Sequence, residues 1–377
     1  MRISVLMCVM VSLMGCPRQG AAPQSSVVAA RTVAHEMGAV RAHLEAAAAS
    51  EDPIVRGSAL ASLAKNPSTE GEQYLLRGVM DPSRWVQRVM AKALPVRTVD
   101  VLMARPSSDS VARALALAGL SAEKRGEIDV DLGLSDPADL VSGVLLGDAK
   151  ALNLLQALAR DGDIPPEEGL FWAISRTGSV SLGEALAEGI PQAEDLIRVQ
   201  MALVAQYLAP SQGTRALNAA LSGASLEQRL EAVEGLVKYD TPLGRKFLAR
   251  ASKGSSAPVR QHAQLAMVAL TGGSVSVASE AIVSPDRDVR AWAATSLMLS
   301  AVERPLHRSL LSALVSAQQD EAPAVRMAAV RALLEVGAVD VVVIPVGFWV
   351  RQPDTMSTMI AASLWVSSHP QWEQSHP

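Results

Sequence analysis

A pattern led by arginine recurs along the chain and limits the folds that the chain can adopt. With the arginine as position zero, alanine stands at +3, a small residue at +6 and Leu or Met at +7. The clear copies begin at Arg56, Arg113, Arg229, Arg260, Arg290 and Arg326, and looser copies begin at Gln87 and Arg198. The intervals 56–87, 198–229 and 229–260 are each 31 residues, and 260–290 is 30. A fixed period of this length predicts stacked supersecondary units.

Each copy of the pattern predicts a helix with one apolar face. Offsets −1, +3 and +7 fall on the same side of a helix, because the helix repeats every 3.6 residues. The small residues on that side allow a neighbouring helix to approach closely. An interval of 31 residues holds two such helices and two short turns. Proline stands at the start of several of them, as in Asp52-Pro53 and Ser284-Pro285, where the first turn of a helix tolerates it.

The segments Asp52-Pro53-Ile54-Val55-Arg56 and Asp286-Arg287-Asp288-Val289-Arg290 resemble the second helix of a HEAT repeat of the short bacterial kind. The resemblance implies an all-α fold, an α-solenoid of about nine to eleven helical hairpins in a right-handed superhelix. In that family, an aspartate and the arginine commonly bridge adjacent repeats. Here the aspartate is absent before Arg229 and Arg260, and Gln87 replaces the arginine, so we expect any such ladder to be broken.

The first residues are typical of a bacterial lipoprotein signal. One positive charge, Arg2, precedes an apolar run from Ile3 to Met14 that is too short to span a bilayer. Leu13-Met14-Gly15-Cys16 resembles a lipobox, in which Cys16 becomes the lipidated first residue. Because Pro17 rather than Asp follows, similarity to enteric sorting favours the outer membrane, facing the periplasm. An ordinary cleaved signal and a spurious apolar start are the alternatives.

The chain divides by composition and by the regularity of the repeats. The expected segments are 1–15, signal peptide; 16–26, lipidated cysteine and flexible tether; 27–125, HEAT-like repeats; 126–194, degenerate repeats; 195–337, regular HEAT-like repeats; and 338–377, capping repeat and tail. In the degenerate section, the proline-rich 161–169 could be a bend, part of a longer irregular repeat, or a binding loop. In the last section, 339–349 has strand propensity, but Pro345 favours a first helix, followed by a second over 355–367.

Charge and motifs exclude several function classes. The formal net charge is −4, and loss of residues 1–15 removes only Arg2 and makes it −5, so no basic stripe for nucleic acid is predicted. No phosphate loop, zinc-protease motif or nucleophile elbow occurs, and we expect no catalytic residue, metal, cofactor or small-molecule substrate. His35 and His43 are eight residues apart without an apparent third ligand, so we expect solvated histidines.

A binding role is predicted for residues of the repeated second helices. We expect Trp292, Arg290, Arg260 and Arg326 to lie on the concave face that these helices form. The alternative for Trp292 is a side chain wedged between repeats. The sequence therefore favours a membrane-anchored, non-catalytic protein-interaction scaffold of the bacterial cell envelope. The alternative, from the resemblance of the period to that of bilin lyases, is a lyase-like enzyme acting on a tetrapyrrole or protein substrate.

Overall fold

A computed structural model shows the expected all-α fold: the residues it describes are mostly helical and include no strand. It describes residues 26–335 apart from 106, 131, 135, 168, 223, 272–274 and 300–307, together with 338, 342, 357, 358, 360–362 and 365. Two compact units are present. The middle unit contains Leu94–Leu270, and the terminal unit contains the described residues of Val9–Ala93 and Thr271–Pro377.

Twenty helices are described in chain order. They are α1 (Ser26–Ala47), α2 (Pro53–Ala64), α3 (Thr69–Val79), α4 (Arg84–Ala93), α5 (Pro95–Met103), α6 (Ser110–Ala118), α7 (Ala122–Gly126), α8 (Pro137–Leu145), α9 (Ala149–Asp161), α10 (Leu170–Ser175), α11 (Val180–Gly189), α12 (Asp195–Leu208), α13 (Pro210–Leu221), α14 (Leu226–Tyr239), α15 (Pro242–Ala251), α16 (Ala257–Thr271), α17 (Val275–Ala281), α18 (Arg287–Leu299), α19 (Arg308–Ala317) and α20 (Pro323–Glu335).

Short polar side chains begin many of these helices. Asp52 accepts a hydrogen bond of 2.8 Å from the backbone N–H of Ile54, and Pro53 occupies the first helical position. At α14, Ser225 and Gln228 form a reciprocal capping box. These contacts satisfy backbone donors that have no partner inside the helix. The Asp-Pro pairs of the sequence therefore act as helix starts.

The predicted apolar face is the face that packs. Position +3 is buried in all the clear repeats, and position +7 in all but the copy at Arg260, where Met267 is half-buried; examples are Ala59, Leu63, Ala232, Leu236, Ala293, Leu297, Ala329 and Leu333. The small residue at +6 has a direct steric cause. A Cβ atom added to Gly235 would lie 2.3 Å from Cδ1 of Leu203, and one added to Gly119 would lie 2.6 Å from Cβ of Pro95. Only a very small side chain allows these helices to approach so closely.

Helices pack chiefly against the helices one or two places away in the chain. In the terminal unit, α2 contacts α3 and α4, and α18 contacts α17 and α20. In the middle unit, α12 contacts α11, α13 and α14. This arrangement is what successive helical hairpins produce when each buries the apolar face of the one before.

The degenerate section 126–194 departs from this order. Helix α10 packs against α6 as well as α8 and α12. Gly169, at the start of α10, has φ of 88° and lies against Leu115, while Arg176 Nε donates a 3.4 Å hydrogen bond to the carbonyl of Ala118. Phe171 is buried. The residues after the proline-rich segment therefore belong to the core of the middle unit.

Candidate functional site

The most extensive polar arrangement in the described chain surrounds Arg290. Its Nε and Nη2 atoms donate hydrogen bonds of 2.6 and 3.0 Å to the two carboxylate oxygens of Asp320. Its Nη1 atom donates to the carbonyls of Ser284 and Pro285, at 2.8 and 3.0 Å. The side chains of Arg290 and Asp320 are only 10% and 12% exposed. One guanidinium thus holds the turn before its own helix and the turn before the next helix of the same type.

Two more copies of the pattern repeat this geometry. Arg56 bonds Asp81 through both oxygens at 2.8 and 3.0 Å and donates to the carbonyl of Ser50 at 2.6 Å. Arg113 bonds one oxygen of Asp139 at 2.7 and 3.3 Å and donates to the carbonyl of Ser108 at 2.9 Å. Forked guanidinium–carboxylate bonds of this kind fix orientation as well as distance. The arginine therefore acts as a tie between successive repeats.

The electrostatics of these ties favour the ionised pair. The Arg290 hydrogen bonds lower the pKa of the Asp320 carboxyl, although its burial acts in the opposite direction. Burial also raises the pKa of Asp81, but the hydrogen bonds from Arg56 and from the backbone of Ser83 outweigh it, and the net pKa is lowered. Both carboxylates are therefore charged at neutral pH and remain so under mildly acidic conditions.

The ladder is interrupted where the sequence departs from the pattern. Gln87 stands where the pattern has arginine, and its side-chain amide donates a 2.8 Å hydrogen bond to the backbone carbonyl of Asp81. This contact involves no carboxylate. The side chain of Arg229 is exposed and forms no hydrogen bond or ion pair with the described residues. Arg260 donates to the turn carbonyls of Gly254 and Ser255 at 2.8 and 3.3 Å. Arg326 likewise donates to the carbonyl of Asp320 at 2.7 Å.

The residues that we predicted to bind a partner have other contacts in the structure. Arg290, Arg260 and Arg326 each hold the turn that precedes their own helix. The ring of Trp292 is 2% exposed, so a partner could reach it only if the helices around it moved apart. Cys16, the predicted lipidation site, lies outside the described residues. The four helix residues are thus placed for packing and for turn closure in this structure.

A different carboxylate, Glu231 of α14, is held without a cation. It accepts a hydrogen bond from the side-chain amide of Gln200 on α12 and forms no ion pair with any described residue. Burial raises its pKa, an effect that the Gln200 bond partly offsets and the charge of Glu227 reinforces. The two residues both stand at +2 of their copies, 31 residues apart. A partly buried acid without a counter-ion is a candidate for contact with a cationic ligand.

Nearby contacts give the same helices a neutral polar tie. The amide of Gln206 donates to the hydroxyl of Thr241, which in turn accepts a 3.0 Å bond from the backbone N–H of Gly244 and so begins α15. Gln228 donates a 3.0 Å bond to the backbone carbonyl of Asp195. These contacts link α12 to α14 and α15 where the Arg–Asp tie is missing. Our sequence reasoning did not identify them.

A second column of small residues was also missed. Gly183, Gly213 and Gly244 lie near the starts of α11, α13 and α15, at intervals of 30 and 31 residues. A Cβ atom at Gly213 would lie 2.1 Å from the backbone nitrogen of Gln206, and one at Gly183 would lie 2.6 Å from Cβ of Leu208. The regular interval is visible in the sequence and could have identified these positions as close helix contacts.

The histidine expected to be solvated is instead buried. His43 is 3% exposed, and its Nε2 atom lies 3.0 Å from the hydroxyl of Ser357. For His43 the expectation was wrong, because Ser357 of the C-terminal segment contacts it and α1 packs against α2. The side chain of His35 lies outside the described residues. Within the described residues, no cluster of three or more His, Cys, Asp or Glu side chains could hold a metal ion. In the same part of the chain, no helix is long and apolar enough to cross a membrane.

Comparison with known proteins gives little further guidance. No model of a protein family matches the chain, and no curated protein matches it. Among solved structures, the chain is similar to the crystal structure of an engineered protein, with 17% identity and a TM-score of 0.28. That similarity covers 87% of this chain and 98% of the engineered one.

Proposed function

We propose that this protein is a membrane-anchored, non-catalytic protein-interaction scaffold of the bacterial cell envelope. It is built as an α-solenoid of about nine to eleven HEAT-like hairpins in a right-handed superhelix. The observation that supports this proposal best is the recurring arrangement of Arg56, Arg113 and Arg290. Each guanidinium joins the turn of its own repeat to an aspartate further along the chain.

A repeated tie of this kind suits a scaffold. Because the guanidinium contacts two turns at once, it restricts the rotation of one hairpin relative to the next. Restricted hairpins present a surface of fixed spacing, which reduces the entropy that a partner must lose on binding. The polar groups of the ties are used in packing, so the contact with a partner must involve other residues.

The surface around Glu231 is the contact that we assign to a protein partner. Its carboxylate is partly buried, accepts only the Gln200 amide and has no cation among the described residues. A lysine or arginine of a partner would complement this carboxylate. The proposed partner is therefore a protein with a basic contact surface.

The anchor rests on the N-terminal sequence. The apolar run and Leu13-Met14-Gly15-Cys16 favour lipidation of Cys16, and Pro17 favours the outer membrane with the chain facing the periplasm. The tether that follows would allow the repeats to lie close to the membrane surface without entering it.

The test compares cross-linking recoveries from native bacterial envelopes. The chains compared are wild type, Cys16→Ser, Glu231→Lys and the matched charge reversal Glu123→Lys at an exposed position of α7. We expect Cys16→Ser to lose incorporated palmitate and to leave the membrane fraction. We expect Glu231→Lys to lose an enriched partner that Glu123→Lys retains, with both variants showing the wild-type helical circular dichroism.

The three parts of the proposal, the anchor, the scaffold and the assigned surface, fail separately. Palmitate incorporation in the Cys16→Ser chain would refute the anchor. Repeated recoveries that enrich no protein over the untagged control would refute the scaffold. Equal partner recovery with Glu231→Lys and wild type would refute the assigned surface while leaving the other two parts standing.

A further inference from the structure

The C-terminal segment 357–365 is buried to an unusual degree. Six of its residues are described: 357, 358, 360, 361, 362 and 365. All six are helical, and all six are buried. They include two hydroxyl residues, Ser357 and Thr358, that would ordinarily face solvent at the end of a chain.

One side of this segment packs against the last described helix. Ile360 forms an apolar cluster with Val330 and Leu334 of α20, and Val342 packs against the same cluster. This contact alone is what a terminal capping helix would make, since a cap covers the apolar face of the last repeat.

A second contact of the segment is with the first described helix. The hydroxyl of Ser357 lies 3.0 Å from Nε2 of His43 in α1, although the two residues are 314 positions apart in the chain. His43 stands in a buried stripe of α1 with Val40, Leu44 and Ala47.

The buried positions of this segment spread widely around the helix axis. At about 100° per residue, the six described positions cover an arc of roughly 200° around the helix axis. A helix packed on one side alone buries a stripe of about 100° or somewhat more. That arc is wider than one packing helix covers, and the described contacts supply two such helices, α20 at Ile360 and α1 at Ser357, about 60° apart around the axis.

We infer that the described residues of the C-terminal segment, 357, 358, 360–362 and 365, act as an intramolecular ligand that binds between α1 and α20. The segment joins the first and last described helices of the terminal unit, and its release would free α1 from the C-terminal repeats. The inference does not depend on the proposed anchor or on the partner surface, which belongs to the middle unit.

The bound segment contains one unfavourably placed group. The hydroxyl of Thr358 is completely buried and has no hydrogen-bond partner among the described residues. A buried polar group without a partner disfavours the bound state, because water satisfies the same group when the segment is released. The segment is consequently held less tightly than an all-apolar helix of the same size would be.

Hydrogen exchange on the full chain tests the inference. Ile360→Ala should accelerate the exchange of amides in both α1, around 40–47, and α20 by about 30-fold, from the usual loss on truncating a buried isoleucine. Thr358→Val should slow exchange in the same two helices by about fivefold, since it removes the unsatisfied hydroxyl. Helix α12 of the middle unit should not change with either substitution. Val283→Ala, at a position of the terminal unit that is 72% exposed, serves as the control and should change neither α1 nor α20.

A change of amide exchange in only one of the two helices, α1 or α20, would overturn the inference. If either substitution alters exchange in α20 and leaves α1 unchanged, the segment is a one-sided cap. If Ile360→Ala unfolds the chain, Thr358→Val still distinguishes the two arrangements. A segment bound between α1 and α20 predicts slower exchange in both helices, whereas a one-sided cap predicts slower exchange in α20 alone.

Discussion

Substitution of Arg290 tests whether the guanidinium ties hold the repeats together. We expect Arg290→Ala to destabilise the packing of α18 on α20 by about 3 kcal/mol. The same substitution at Arg229, which occupies the same position of the pattern, should change stability by no more than about 0.5 kcal/mol. The comparison isolates the tie, because both variants lose the same side chain from the same place in a repeat.

The magnitude follows from the contacts that are lost. Arg290→Ala removes two bonds to Asp320 and leaves a carboxylate that is only 12% exposed without its counter-ion. The carbonyls of Ser284 and Pro285 lose their donor as well. Removal of one partner from a buried pair costs about 3–5 kcal/mol, whereas an exposed pair contributes about 0–1. The residual exposure of this pair places the expected loss near the lower end of the buried range.

Native-state hydrogen exchange is the appropriate assay, because arrays of repeats need not unfold in one cooperative step. A loss of about 3 kcal/mol corresponds to an acceleration of roughly 150-fold for the amides of α18 that exchange by local opening. Arg290→Lys keeps the charge but not the fork, so we expect an intermediate acceleration. Similar accelerations in the Arg229→Ala and Arg290→Ala chains would refute the argument, since only one of them has a tie to lose.

Three further outcomes are expected. Gly235→Ala should destabilise the middle unit by about 1–3 kcal/mol in thermal melts, because its Cβ atom would overlap a neighbouring leucine; Gly38→Ala, where nothing lies within 4 Å, should stabilise by up to about 1 kcal/mol. The lowered pKa of Asp320 means that its contribution is complete above the unfolded pKa of about 3.9 and disappears as pH falls through the folded value. Asp320→Asn should therefore weaken the acid dependence of the melting temperature. The raised pKa of Glu231 has the opposite sign, so Glu231→Gln should raise the melting temperature near pH 7 and have little effect below about pH 4.

The helical class and the packing face could be predicted because both depend on local pattern. Positions such as Ala59 and Leu63 recur at helical spacing, and the structure buries them. The interruption at Arg229 was also visible, since no aspartate stands before Arg260, where the partner of Arg229 would lie. In each case the decisive residues lie within a few turns of one another, which is the range over which periodicity carries information.

Contacts between distant residues were not predictable from that pattern. The aspartate bound by the arginine lies 25, 26 or 30 residues further on in the three ties, so no fixed offset marks it. The contact of His43 with Ser357 has no local signature at all. Trp292 shows a related difficulty: its position at +2 suggests the outer side of one helix, but the exposure of that side depends on the helices that pack over it.

The repeats are joined either by Arg–Asp ties or by side-chain amide contacts. Where the weaker amide contacts replace the ties, glycines allow closer packing of the helices. Between α12 and α15 the Arg–Asp tie gives way to the amide contacts of Gln200 with Glu231 and of Gln206 with Thr241. A hydrogen bond of this kind contributes about 1 kcal/mol net, less than a partly buried forked ion pair can. The same helices carry Gly213 and Gly235, where an added Cβ atom would overlap atoms of α12 at 2.1 and 2.3 Å. Close approach of two helices increases the dispersion contacts along their whole length, so stability there comes from shape, and it should be less sensitive to salt than in the tied repeats.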